Sequence, residues 1–480
     1  MCFQFVMEDA LTKAKKAAGG AGSLADALGH ITPQAVSQWT KVPANRVLDV
    51  ERISGVSRHD LRPDIYGPKP RDAETPPLKN LPARKIGATS TSTIADANTL
   101  RRRDALTGEL RNAFEKADFN LLSPAVLQPA ELFLDRSGED IRRRLYVFTD
   151  PGGEELCLRP DLTIPTCHHY LETTGGQGTA RYCYAGPVYR YQSGDSKKPN
   201  ELMQAGAELL GSTDIEAADA EIMALCVQAV AGAGCKDFAV EMGDLSLFEA
   251  LVNALDMPAA WRSRLMRHFW RPYYFHEILD EISGTKRSAP LVLSRGARLA
   301  AIGKLDEQQA RALVEETLEL ANIPVVGGRS IAEIAERYYE QAINAAADPL
   351  SRETAALINH FLTLSVAPQD AAKAIGDLAS SAGISLTKQI DALTRRFELL
   401  QKAGVYLERA RFSTSFGRKL EYYTGFVFEL QVASLGENSV IAGGGRYDGL
   451  LQSLGAPSRV PAIGCAVTVE RLALALGGRA

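Results

Sequence analysis

From Asn120 onward, short β-rich runs arrive in hairpin-like pairs between helices, and this pairing limits the fold more than any other feature of the chain. Tyr146-Val147-Phe148-Thr149 is followed closely by Gly153-Glu154-Glu155-Leu156-Cys157-Leu158, and Ala180-Arg181-Tyr182-Cys183-Tyr184 precedes the next pair. Neighbouring strands that close hairpins build an antiparallel sheet, whereas a parallel sheet needs a long crossover between strands. The expected class is α+β: an antiparallel sheet flanked by helices, with a helical insertion at about 250–400. No phosphate-loop pattern and no G-x-G-x-x-G fingerprint is present, which removes the common nucleotide-binding folds.

The first 66 residues have a different texture. Ala10, Leu11, Ala14, Ala17 and Ala18 recur at helical spacing, and Gly19-Gly20-Ala21-Gly22 ends that helix. Ser23 is the expected N-cap of a helix that stops at Gly29, and Thr32-Pro33 opens another through Trp39. Two short helices joined by a Gly-containing turn form the helix-turn-helix pattern. Ala25, Leu28, Ile31, Val36 and Trp39 are expected to pack inward, leaving Thr32, Gln34, Ser37 and Gln38 toward a major groove, with Lys41 near the phosphates. The segment through Tyr66 resembles the Cro-like and YdaS-like small DNA-binding domains of bacteria, which makes DNA a candidate partner. Its charge is nearly balanced, however, with eight Lys and Arg against seven Asp and Glu between residues 8 and 66. That balance suits a scaffold that no longer binds DNA equally well. Residues 67–95 hold five prolines and a Ser/Thr tract and read as a flexible linker. The main domain is expected over residues 96–480, entered through a charged helix from Asn98 to Ala117.

A formal net charge of −4 over 480 residues argues against a surface devoted to neutralising phosphates. The seven cysteines form no C-x-x-C pair and have no His at zinc spacing, so buried free thiols are expected and no metal site. No cofactor is implied. The start lacks the pattern of a signal peptide, the helical pattern begins near Met7, and no run of 18 apolar residues occurs. A cytoplasmic protein with no membrane contact is expected.

Six segments of the main domain carry a resemblance. Leu158-Arg159-Pro160-Asp161-Leu162-Thr163 and Gly186-Pro187-Val188-Tyr189-Arg190, followed by Gln204-Ala205-Gly206-Ala207-Glu208, resemble the Leu-Arg-Pro-Glu-x-Thr segment and motif 2 of histidyl-tRNA synthetases. Arg418 through Glu429 resembles their histidine-recognition signature. Gly443 through Leu450 and Gly464 through Leu472 resemble their glycine-rich strand and motif 3. The resemblance implies a class II aminoacyl-tRNA synthetase-like fold and a histidine-like pocket built from Asp161, Thr163, Arg190, Gln204, Glu208, Arg418, Tyr422 and Tyr423. The chemistry is coherent by itself: carboxylates suit an ammonium group, and tyrosines can wall an imidazole-sized space. Gln204 and Glu208, an even spacing apart, share one face of a strand. Taken singly, the carboxylates also fit solvated strand ends, the tyrosines fit a core, and Gly443-Gly444-Gly445 fits a chain reversal.

Two departures from the synthetase pattern separate the chain from the enzymes. It reaches Ala480 nine residues after Arg471, without the anticodon-binding domain expected there. In the ATP loop Gln192 stands for an acid, Asn200 for an arginine and Leu202 for the aromatic that would stack on adenine. Adenylation needs cations aimed at a developing phosphoryl charge. The combination resembles the regulatory subunits of ATP phosphoribosyltransferase, which implies no catalytic residue, a homodimer within a hetero-oligomer, and a short-form catalytic subunit as partner. It also implies a part in feedback by histidine. An aminoacyl ligase charging a small carrier and a histidine-responsive DNA-binding regulator are the alternatives.

Overall fold

The computed structural model describes residues 9–62 (except 30, 44 and 45), 96–134, 142, 144–192, 199–269, 272–283, 309, 349–417 and 422–477. They divide into two compact units, one within Met1–Gly87 and one within Ala88–Ala480. The linker expected at 67–95 lies outside the described residues, as does most of 284–348 in the expected helical insertion.

The N-terminal unit is all helical: α1 (Ala10–Ala17), α2 (Ala21–Leu28), α3 (Pro33–Ser37), α4 (Val47–Ser54) and α5 (Arg58–Leu61). Thr32 caps α3 by accepting from the Ala35 amide at 3.3 Å, with Pro33 at the first helical position. Ser23 does not cap α2. That helix begins two residues earlier, and the Ser23 hydroxyl donates back to the Gly19 carbonyl. Ala25 and Val36 are buried, and Leu28, Ile31 and Trp39 pack against them as the apolar spacing requires.

The second unit opens with α6 (Ala97–Lys116), whose Leu106, Leu110 and Phe114 stripe is buried. Its strands are β1 (Asn120–Leu122), β2 (Leu127–Pro129), β3 (Tyr146–Thr149), β4 (Glu155–Leu158), β5 (Ala180–Tyr189) and β6 (Glu201–Leu210). They continue as β7 (Ala239–Asp244), β8 (Ser365–Val366), β9 (Ala410–Ser413), β10 (Phe426–Gln431), β11 (Val440–Arg446) and β12 (Ala462–Thr468). Nine of them form one sheet in the order β1-β5-β6-β12-β11-β10-β7-β9-β8, and β2-β4-β3 form a small antiparallel sheet.

The large sheet is antiparallel except at two pairs, β1 with β5 and β7 with β9, which are parallel. The reason is topological. Between β7 and β9 the chain runs through a long excursion whose described part is largely helical, and a return by crossover brings a strand back in the same direction. The described part of that excursion contains α10 (Leu245–Ala254), α11 (Ala259–His268), α12 (Pro272–Ile282), α13 (Arg352–Thr363), α14 (Pro368–Ser381) and α15 (Thr387–Lys402), with β8 as its short strand.

Alternation along β6 sorts its side chains. Ala205, Ala207 and Leu209 join the main core, packed with α6 and with α16 (Ile215–Gly232). Gln204, Gly206 and Glu208 face the other way. On that second face α17 (Thr163–Thr174) packs beside β6 with a smaller cluster that includes Cys157, Cys167, Tyr170 and Tyr447. The six cysteines of the described residues are buried free thiols. Cys157, Cys183 and Cys465 lie on strands, and Cys167 and Cys226 on helices.

Candidate functional site

The site grows from the turn between β4 and α17. Arg159 pins that turn to β5: its Nε donates to the Pro187 carbonyl at 2.8 Å, and the Tyr189 amide donates to the Arg159 carbonyl at 3.0 Å. Arg190 adds a bond from its Nε to the Pro160 carbonyl at 2.8 Å. The turn is thereby held over the end of β5, and its next residues, Asp161 and Thr163, are buried.

Thr163, the first residue of α17, donates its hydroxyl to Glu208 Oε1 at 2.7 Å. Tyr184, on the adjacent strand β5, donates to the same oxygen at 2.8 Å. The Tyr447 hydroxyl donates to Oε2. Glu208 is therefore a carboxylate surrounded by hydroxyl donors, 1% exposed, with no cation bonded to it among the described residues. Burial pushes its pKa up to about 7, and the three hydroxyl bonds only partly offset that. Space for this side chain comes from the glycine strands. Gly464 lies opposite Glu208, and a Cβ there would fall on the carboxylate.

Asp161 is the second buried acid. Its Oδ1 accepts from the Ile164 amide at 3.1 Å at the start of α17, whereas its Oδ2 has no hydrogen-bond partner among the described residues. Burial raises its pKa, while the Ile164 amide and the charge of Arg190 work in the opposite direction. Two buried carboxyls, one of them with an open oxygen, suit a ligand that brings N–H donors or positive charge.

Aromatic rings close one side. Tyr422 meets Tyr423 at 5.0 Å between centroids and Tyr447 at 5.8 Å, edge to face, and both Tyr422 and Tyr423 are half-buried. Gly443-Gly444-Gly445 does not reverse the chain. It runs through the middle of β11, where Cβ atoms at 444 and 445 would strike the rings of Phe428 and Tyr423.

The structure thus brings Thr163 and Glu208 into direct contact. It sets Asp161 and Arg190 beside them, and it packs Tyr422 and Tyr423 against Tyr447. Gln204 is buried on the same face of β6. Arg418 lies outside the described residues. The solvated-strand-end alternative for Asp161 and Glu208 is overturned by their burial. Sequence reasoning missed Tyr184 and Tyr447 as partners of Glu208. Tyr447 stands inside the Gly443–Leu450 run, and an aromatic directly after a glycine-rich strand was the available signal.

The candidate DNA-contacting residues Thr32, Gln34, Ser37, Gln38 and Lys41 are all exposed. Two of the hydroxyls are already engaged: Thr32 caps α3, and Ser37 donates to the Pro33 carbonyl at 2.8 Å. Gln34 and Gln38 project from the α3 segment, and Lys15 of α1 reaches the Ser37 carbonyl at 3.4 Å. Among the described residues no group of three His, Cys, Asp or Glu side chains is arranged to hold a metal, and no helix is long and apolar enough to cross a membrane.

Comparison with known proteins agrees with this architecture. The histidyl-tRNA synthetase family model matches residues 95–290 and 310–472, and the model for bacterial toxin YdaS matches residues 11–70. An ATP phosphoribosyltransferase regulatory subunit from Agrobacterium fabrum is 38% identical over 76% of this chain and 95% of its own. One from Sinorhizobium medicae is 37% identical over 77% and 97%. Among solved structures, an ATP phosphoribosyltransferase regulatory subunit/histidyl-tRNA synthetase from Bacillus halodurans C shares the fold with a TM-score of 0.56 at 20% identity, over 82% of this chain and 84% of that one. Sequence likeness over nearly the whole length of these relatives, on a synthetase-like sheet, makes this chain a member of the ATP phosphoribosyltransferase regulatory subunit family.

Proposed function

We propose that this chain is the non-catalytic partner of a short-form ATP phosphoribosyltransferase catalytic subunit, which it activates in the first step of histidine biosynthesis. The observation that carries the non-catalytic part is the use made of the ATP-loop positions. Asn200 closes the β5–β6 hairpin: its side chain accepts from the Gln192 amide at 2.9 Å and its carbonyl from the Arg190 amide at 2.7 Å. Leu202 is buried with Leu162, Tyr184 and Val188. Arg190 and Arg471 each donate to a backbone carbonyl, of Pro160 and Val440. At positions 200 and 202 the side chains that would meet ATP in a synthetase are here replaced by groups that hold the hairpin and the core, while Arg190 and Arg471 remain and are tied to backbone. Histidine-dependent exchange of pyrophosphate into ATP is expected to stay at background, and robust exchange would contradict the proposal.

The pocket around Glu208 and Asp161, with Thr163, Arg190, Gln204, Tyr422 and Tyr423, is assigned to histidine as a regulatory ligand. It supplies buried carboxyl oxygens for N–H groups and aromatic walls for a ring. The homodimer uses the surface near Pro124, where Leu121, Leu127, Val147 and Phe148 are 40% to 48% exposed on β1, β2 and β3. Such apolar strand surfaces ask for cover. Sedimentation of the full chain should give at least a dimer, and a monomer at micromolar concentration would remove that element.

The chain is organised as a helix-turn-helix unit at 1–66, a linker at 67–95 and the regulatory domain at 96–480, and it works in the cytoplasm. If the small unit binds DNA, Gln38→Ala should relax sequence preference, and Lys41→Ala should weaken binding to all sequences alike. Equal and undetectable binding by both variants and the parent would leave it a scaffold.

A further inference from the structure

Beside the Glu208 cage lies a second buried polar cluster that no part of the proposed function uses. Asp219, on α16, is fully buried; its Oδ1 accepts from Arg446 Nε at 2.8 Å and its Oδ2 from Arg396 Nε at 2.9 Å. Arg396, on α15, also donates from Nη1 to Asp244 Oδ2 at 3.0 Å. Asp244 is the last residue of β7, and its other oxygen caps α10 through the Ser246 amide at 2.9 Å. The two ends of the helical excursion, where it leaves at Asp244 and where it returns through Arg396, are thus joined to each other by Arg396, which in turn is held by Asp219.

The same aspartate grips the pocket. Arg446 directly precedes Tyr447, whose hydroxyl bonds Glu208. Arg446 Nη1 donates to Asp448 Oδ1 at 2.9 Å, and that oxygen also accepts from the Ala462 amide at 2.9 Å. The Thr424 amide donates to the Arg446 carbonyl at 2.8 Å, while the Thr424 hydroxyl accepts from the Asp448 amide at 3.1 Å. Both residues flanking Tyr447 are therefore fixed. Gly425 packs so closely on Arg446 that a Cβ there would lie 3.1 Å from its Cδ, and the Gly425 carbonyl accepts from the Leu245 amide at 3.0 Å, at the first residue of α10. Arg396 in turn sits over the ring of Phe426, 4.8 Å from its centroid.

Glu208 Oε1 already accepts from Thr163 and Tyr184, so a ligand N–H that reaches this carboxyl meets Tyr447 at Oε2. We infer that Asp219 with Arg396, Arg446 and Asp244 couples this pocket to the helical excursion, so that a ligand contacting Glu208 changes how α15 and α10 dock on the sheet. The quartet holds two positive and two negative groups in close, directional contact, which makes it a contiguous hydrogen-bonded path along which two sites can be coupled. The inference rests on the assignment of the pocket to histidine, and Asp219 acts in it as a positioning residue.

The test is amide hydrogen exchange on the full chain with histidine as the probe, beside calorimetric titration of the same sample. In the parent protein, saturating histidine should slow exchange in residues 387–402 by about fivefold or more relative to α6, the size of a modest coupling. In Asp219→Asn, and in Arg396→Lys as a milder variant that keeps the charge, the ligand-induced slowing at 387–402 should fall below about twofold while histidine still binds. Histidine binding without any change at 387–402 in the parent overturns the coupling and leaves the pocket assignment intact, whether or not the variants fold. Undiminished slowing in a folded variant overturns it as well. No calorimetric binding to the parent removes the pocket assignment itself, and the coupling falls with it.

Discussion

Two buried acids lie on neighbouring elements of this molecule, and their surroundings differ in one respect. Glu208 is bonded by three neutral hydroxyls, whereas Asp219 is bonded by two guanidiniums. Hydroxyls satisfy an oxygen without supplying charge, so burial dominates and lifts Glu208 to about 7. For Asp219, burial also raises the pKa, but Arg396 and Arg446 both oppose it. The first arrangement can change protonation near neutrality and can accept a ligand's N–H. The second is charge-compensated and depends on all of its members. Two buried acids on adjoining elements can thus take different tasks, one exchanging a proton and one holding charge-compensated contacts.

The clamp is where the largest effect is expected. Asp219→Ala leaves two buried guanidiniums short of their shared partner, and breaking a buried pair from one side costs roughly 3–5 kcal/mol. Urea unfolding followed by circular dichroism should register that loss, and a change near zero would mean the quartet holds nothing.

Next comes pH. The folded state binds the Glu208 proton more tightly than the unfolded chain, whose glutamate value is near 4.5. Its contribution to stability is therefore complete below about pH 4.5 and is lost as pH rises through about 7, a difference on the order of 3 kcal/mol. Glu208→Gln should flatten this part of the stability-against-pH curve. A parent curve that rises with pH across the same window, unchanged in the variant, would show that the cage does not set the titration.

A smaller effect is expected from Tyr184→Phe, which removes one donor and leaves Thr163 on the same oxygen. About 1 kcal/mol of destabilisation should appear, with the Glu208 transition moved further upward. If the transition instead moved down, the hydroxyl would not be a donor to the carboxylate.

Much of the pocket was legible in the chain because its parts are local. Even spacing put Gln204 and Glu208 on one face of a strand, and the run from Leu158 to Thr163 places an acid and a hydroxyl at a helix start. Tyr447 escaped attention although its motif was plain, because its reach to Glu208 depends on β6, β12 and β11 lying side by side. The clamp was invisible for the same reason: Arg396 and Asp219 are 177 residues apart, and each reads as one charge on an otherwise ordinary helix. Pairing direction failed at β7 and β9 because hairpin signals do not report what a long helical excursion does to the returning strand. Ser23 illustrates a local failure, in which a good capping residue was drawn inside a helix that starts at Ala21.

The family membership, the pocket and the ATP-loop substitutions converge on a protein that works by changing another chain's activity. The most direct measurement is the ATP phosphoribosyltransferase rate of a short-form catalytic subunit, assayed alone and with stoichiometric full-length chain. A regulatory role requires a rise of about tenfold or more, equivalent to roughly 1.4 kcal/mol in the barrier, and a rate that falls again as histidine is added. An unchanged rate in the presence of this chain would contradict it.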